Sequence, residues 1–139
     1  MNTLNFNTGV VTFTVNDTAE VSFNPTDSSF AERLFNTFDE LDKKQDSYKA
    51  EVANMADKRQ IFEIARKRDK EMREMIDAIF QLPVSDDIFG GINVYALSDG
   101  LPLWCNFLLA VMDEIDTTFA REQKATNPRI KKYTAKYHK

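Results

Sequence analysis

The sequence has one cysteine, Cys105, and one histidine, His138. A lone cysteine excludes an internal disulfide and any multi-cysteine zinc or iron–sulfur centre, and it fits a reducing compartment. His138 stands one residue from the end of the sequence, where little surrounds it to fix an imidazole in the geometry that general acid–base chemistry demands. Neither a histidine-based triad nor a histidine metal site is expected. Long apolar runs are lacking too. No stretch reaches the roughly 18 residues of a membrane span, and Met1-Asn2-Thr3-Leu4 opens without the basic leader and apolar core of a signal peptide. The expectation is a cytoplasmic protein with no membrane partner.

Other chemical signatures are missing as well. The pair Gly90-Gly91 belongs to neither Gly-x-Gly-x-x-Gly nor a nucleotide loop ending in Gly-Lys-Ser/Thr. Asp86-Asp87 and the group Asp113, Glu114 and Asp116 lack the alternating ligand spacing of a calcium loop. Cys105 follows Trp104 in the most apolar stretch, where a thiol behaves as a small hydrophobe and its pKa rises. With no nucleophile, base or metal set to assemble, the chain reads as a protein-binding module with no cofactor rather than an enzyme.

What is present suits one domain: 139 residues, 42% apolar and 29% charged. The net charge of −4 is divided unevenly. Residues 121–139 carry seven bases and one acid, which leaves eleven bases against twenty-one acids before them. The division predicts an acidic domain over 1–122 and a flexible basic tail over 123–139, with Arg129, Lys131, Lys132 and Lys136 around Tyr133. The tail has the composition to contact phosphates and stack on bases, but the acidic body opposes a polyanion, so nucleic acid is not the expected partner.

Hydrophobic periodicity gives the fold class. Leu4 and Phe6, then Val11, Phe13 and Val15, then Ala19, Val21 and Phe23 alternate with polar residues, separated by Asn7-Thr8-Gly9 and Asn16-Asp17. This period of two predicts a three-stranded antiparallel meander with Thr12, Thr14 and Ser22 on its wet face. From Thr26 to Leu82 there are 57 residues without glycine or proline, as long helix requires. Ser29 with Glu32 makes a capping box, and Phe30, Leu34, Phe38 and Leu41, widened by Phe35, form an apolar stripe opposite the pairs Asp39–Lys43 and Glu40–Lys44. The polar run 43–47 interrupts the stripe, with Asp46 or Ser47 able to cap a new helix, so residues 29–82 read equally as one rod or as a hairpin.

Beyond the interruption a seven-residue row runs Tyr48, Met55, Phe62, Asp69 and Ile76, flanked by Val52, Ala65, Met72, Ile79 and Phe80. Such a seam is compatible with a homo-oligomer. Pairs such as Glu63–Lys67 and Asp69–Arg73 read as a solvated helix face. The chain then turns through 84–94, where the two glycines allow positive φ or a close backbone approach. The last helix is expected to begin near Asp99 or Gly100, with Pro102 in its first turn, and to run from Leu101 through Trp104, Phe107, Leu108, Val111, Met112 and Ile115 to Phe119. The whole is α+β, a short N-terminal meander followed by a predominantly helical bundle. Eleven phenylalanines are many for so thin a domain, which leaves two readings open, a wholly internal set or an exposed apolar patch.

The segment Phe89-Gly90-Gly91-Ile92-Asn93 before the last helix, together with the tail Pro128–Lys139, resembles the tail-assembly chaperones of long-tailed phages and of prophages in Gram-positive bacteria. The resemblance implies a helper outside the virion that acts in the cytoplasm of the infected cell. It would coat the tape-measure protein, keep its apolar helices in solution and help tail-tube subunits assemble around it. Partner binding would then involve the turn Phe89, Gly90, Gly91 and Asn93 and the apolar helix residues Phe62, Met72 and Ile76. Two other classes suit an acidic protein-binding module: an inhibitor of a host defence nuclease, or a small structural adaptor of the virion.

Overall fold

The computed structural model describes residues 1–54 and 57–124. Strands β1 (Val11–Val15) and β2 (Ala19–Phe23) are followed by helices α1 (Ser28–Ala53), α2 (Lys58–Phe80) and α3 (Ser85–Phe89). Two short strands, β3 (Leu97–Ser98) and β4 (Leu101–Pro102), precede the last helix α4 (Leu103–Lys124). The fold is α+β, as the periodicity predicts.

The N-terminal sheet has two strands rather than three. β1 and β2 pair antiparallel in the register Val11 with Phe23 to Val15 with Ala19. They are joined by a turn whose central residues Asn16 and Asp17 both take positive φ, 50° and 58°. The Thr18 N–H closes it on the Val15 carbonyl at 3.1 Å. Paired positive φ values match the right-handed twist of a hairpin, which is why Asn-Asp marks this corner. Leu4 and Phe6, the expected first strand, form no ladder and are exposed.

Helix α1 passes unbroken through 43–47, with Asp46 and Ser47 exposed in its interior. Its cap is Asp27, whose carboxylate accepts from the Ser29 N–H at 2.9 Å, two residues earlier than a Ser29 capping box would place it. The helices are separate, but the break falls at 54–57. Asn54 leaves helical geometry at the end of α1, and the Asp57 carboxylate caps α2 by accepting from the Arg59 N–H at 2.9 Å. Asn and Asp end and start helices through such local bonds without help from glycine or proline. Met55 and residues 125–139 lie outside the described residues; Gln123 and Lys124, expected to open the basic tail, are the last residues of α4.

α1 and α2 run antiparallel. The Arg33 Nε donates to the Ile79 carbonyl at one end, and at the other the Arg68 Nη2 donates to the Tyr48 carbonyl, each at 3.0 Å. Arg68 also stacks 4.0 Å above the Tyr48 ring and pairs with Glu51 at 2.9 Å. α4 packs into the same core through Trp104, Phe107, Leu108, Val111 and Ile115. It starts at Leu103, later than expected, because 97–102 form a second small hairpin turned at Asp99 and Gly100 with φ of 57° and 77°. Pro102 therefore ends a strand instead of opening a helix.

Asp17 holds positive φ without the freedom of glycine, so Asp17→Gly should relieve backbone strain at a turn position that favours Asn-Gly. Urea unfolding should show a gain of about 0.5–1 kcal/mol, the roughly 1–2 kcal/mol cost of left-handed backbone less the roughly 0.5–1 kcal/mol of freedom that glycine adds to the unfolded chain.

Candidate protein-binding surface at the Phe89–Asn93 turn

Helix α2 carries two faces side by side. Its apolar residues Met72, Ile76, Ile79 and Phe80 point into the core. Beside them run Ala65, Asp69, Arg73 and Asp77, spaced by four and therefore stacked on one face. Each position of that row holds part of the segment 84–94. At its start the Asp77 carboxylate accepts from the N–H groups of Val84 and Ser85 at 3.0 and 2.8 Å, fastening the beginning of α3. At its end the Asn93 side chain donates to the Ala65 carbonyl at 3.1 Å and accepts from the Tyr95 N–H at 2.9 Å.

Between these points lies Arg73. Its Nε pairs with Asp69 at 3.0 Å and its Nη1 with Asp86 at 2.8 Å. Its Nη2 donates to the carbonyls of Gly90 and Ile92, both at 2.8 Å. The Arg73 side chain is only 13% exposed, and the second oxygen of Asp69 accepts from the Val94 N–H at 2.8 Å. A planar guanidinium in this setting uses its fixed fork of donors to set the path of a loop. Phe89, half-buried, stands with its ring edge to face against Phe107 at 5.8 Å and 6.0 Å from Arg73.

The two glycines differ. Gly90 has φ 56° and ψ −134°, a conformation costly for any residue with a side chain. Gly91 lacks positive φ, and a Cβ there would meet nothing within 4 Å, so nothing inside the described fold demands glycine at 91.

The structure draws four of the seven sequence candidates into one feature. Phe89, Gly90, Gly91 and Asn93 form the turn, and Phe62, 60% exposed, stands three residues before Ala65 on the face of α2 that carries it. Met72 and Ile76 belong elsewhere. Both are fully buried, so in this fold they are core residues and offer no surface to a partner. Of the heptad row and its flanking residues, the C-terminal members Met72, Ile76, Ile79 and Phe80 are buried in the core, whereas Phe62 is exposed. Sequence reasoning passed over Arg73 and Asp77, and it took Asp69–Arg73 for a solvated pair. The available signal was Asp69 itself, a carboxylate at a seam position otherwise held by apolar residues.

An open polar cleft of about 480 Å³ beside the turn is walled by Glu74, Asp77, Ser85, Asp86 and Gly91. The buried Ser85 hydroxyl contacts no base that would activate it. Cys105 is buried, and burial pushes its thiol pKa up, away from a nucleophile's range. Burial likewise pushes up the Tyr95 phenol. Among the described residues, no group of three or more His, Cys, Asp and Glu side chains is placed to hold a metal ion, and no helix is long and apolar enough to cross a membrane. Ile92 within the turn is an exposed apolar side chain, as are Phe62, Leu82 and Leu97 elsewhere on the surface, while Glu74 and Asp86 are exposed acids beside the turn.

Two comparisons follow from this geometry. Arg73→Ala strands a partly buried carboxylate and two carbonyls, and should cost about 2–3 kcal/mol in urea unfolding. Gly90→Ala should cost about 1–2 kcal/mol through backbone strain, whereas Gly91→Ala should stay within about 0.5 kcal/mol of the parent.

Comparison of the chain with protein-family models, with curated proteins and with solved structures found no match in any of the three.

Proposed function

We propose that this chain is a non-enzymatic tail-assembly chaperone of the phage type, which binds the tape-measure protein in the cytoplasm of the infected cell and assists assembly of the tail tube. The observation that carries the proposal is the turn Phe89–Asn93. It is held rigidly by Asp69, Arg73 and Asn93, yet Ile92 is 57% exposed beside a glycine that the fold itself does not require. A fixed loop with an open backbone and an apolar tip is already organised for contact, so binding loses little conformational entropy.

Phe62, Leu82 and Leu97 are further exposed apolar side chains available to a client. A long helical client presents many similar apolar stripes, and weak contacts repeated along it become strong through avidity. The acidic bulk of residues 1–120 keeps copies bound side by side from aggregating, since like charges repel. The basic residues Arg129, Lys131, Lys132 and Lys136 complement acidic stretches of the client or of tail-tube subunits.

Co-expression with the tape-measure and tail-tube proteins of the same phage tests this directly. Tape-measure protein should move from the insoluble to the soluble fraction and co-purify with the chain. Phe62→Asp combined with Ile92→Asp should abolish that effect while leaving the circular dichroism spectrum unchanged, because both side chains are exposed. No co-purification and no gain in solubility with the parent chain would reject the proposal.

A further inference from the structure

The outer edge of β1 and the segment before it are both unpartnered, and they fit each other. Among the described residues β1 pairs only with β2, so the far side of Val11–Val15 presents unpaired N–H and C=O groups. Free strand edges are normally guarded by lysine, proline or a bulge, because they template the addition of another strand. This edge has no such guard: the first charged side chain in the sequence is Asp17 and the first proline is Pro25.

The run Leu4-Asn5-Phe6-Asn7 has the alternation of a strand, yet Leu4 is 95% and Phe6 82% exposed. Asn24 accounts for their position. Its Nδ2 donates to the Thr8 carbonyl at 2.9 Å, and a Cβ on Gly9, at φ 75°, would lie 2.6 Å from that same nitrogen. This close clasp keeps Thr8 and Gly9 on the β2 side of the hairpin's end. The seven residues before Thr8, reaching roughly 23 Å when extended at about 3.3 Å each, therefore lead away from their own β1 edge.

Beside the edge, β1 and α4 enclose a groove of about 230 Å³ lined by Phe13, Val15, Phe107, Ala110 and Val111. A strand added to β1 puts alternate side chains on the face that bears Phe13 and Val15. Leu4 and Phe6 share that parity, and Asn5 and Asn7 then join Thr12 and Thr14 on the wet face.

We propose that residues 4–7 of one copy add as a strand to the β1 edge of a second copy, with Leu4 and Phe6 seated over the groove. A reciprocal exchange closes both edges in a two-fold dimer and leaves no template for further growth. The inference rests on the fold alone and is independent of the chaperone proposal.

Light scattering on the full chain should give twice the 16.0 kDa chain mass at micromolar concentration. Leu4→Asp combined with Phe6→Asp should return the mass to that of one chain with the circular dichroism spectrum unchanged. Ala110→Glu, at an exposed position in the groove, should do the same. For a direct contact, a Phe6→Cys chain mixed with an Ala110→Cys chain, both carrying Cys105→Ala, should form an interchain disulfide on mild oxidation. A single-chain mass at all concentrations would overturn the inference, and so would a doubled mass that both variants leave intact. A chain carrying both new cysteines that closes on itself at high dilution would assign the groove to its own segment, which also overturns it.

Discussion

Six phenylalanines from six different elements meet at one end of the molecule, and the arrangement of the chain depends on that contact. Phe13 of β1 stacks on Phe23 of β2 at 4.8 Å, and Phe23 stacks on Phe30 of α1 at 4.7 Å. Phe30 meets Phe80 of α2 at 5.3 Å, Phe80 meets Phe107 of α4 at 5.8 Å, and Phe107 receives Phe89 of α3. Each pair contributes about 0.5–1.5 kcal/mol beyond the area it buries. The greater consequence is positional. A two-stranded hairpin is marginal alone, and it persists here because Phe23 is inserted between rings from α1 and α2.

That cluster also resolves why so small a domain holds eleven phenylalanines. Both readings of the sequence apply, to different residues. Phe23, Phe30, Phe80 and Phe107 are buried, Phe13, Phe38 and Phe89 are half-buried, and Phe6, Phe35, Phe62 and Phe119 stay exposed. Periodicity alone separates these sets poorly, since Phe30 and Phe35 both belong to the stripe on α1 and only the first reaches the hairpin.

Where local chemistry decided the structure, the sequence was readable. Within the 57-residue span without glycine or proline lie the helices Ser28–Ala53 and Lys58–Phe80, and Asn16-Asp17 turns the hairpin. Where competition between partners decided it, the sequence was opaque. The alternation at Leu4–Phe6 is that of a strand, but whether such a run pairs depends on where the following turn points, and a side chain 16 residues from Thr8 sets that direction. The break after α1 rests on Asn54 and Asp57, which differ in no local way from Asp46 and Ser47 inside the helix. The anchoring of the candidate turn was the least visible. Asp69 and Arg73 make the same i,i+4 pair on a solvated helix as they do here, and only the fold brings the 90–94 backbone against them.

Two adjoining faces of α2 are both covered within the fold. A helix that lays its apolar stripe into a client's groove, or receives the client's helix on that stripe, must leave the stripe uncovered. On α2 the stripe of Met72, Ile76, Ile79 and Phe80 is taken by the core, and the adjoining row of Ala65, Asp69, Arg73 and Asp77 is taken by the 84–94 segment. The apolar groups left outside lie mostly on connections: Leu82 after α2, Ile92 in the turn, Leu97 in the second hairpin and Leu4 and Phe6 ahead of β1. The exposed apolar groups are therefore carried mainly by the connections and by the segment ahead of the open strand edge, with the helices holding them in place. Arg73, only 13% exposed, fixes the position of Ile92 through the guanidinium beneath its carbonyl.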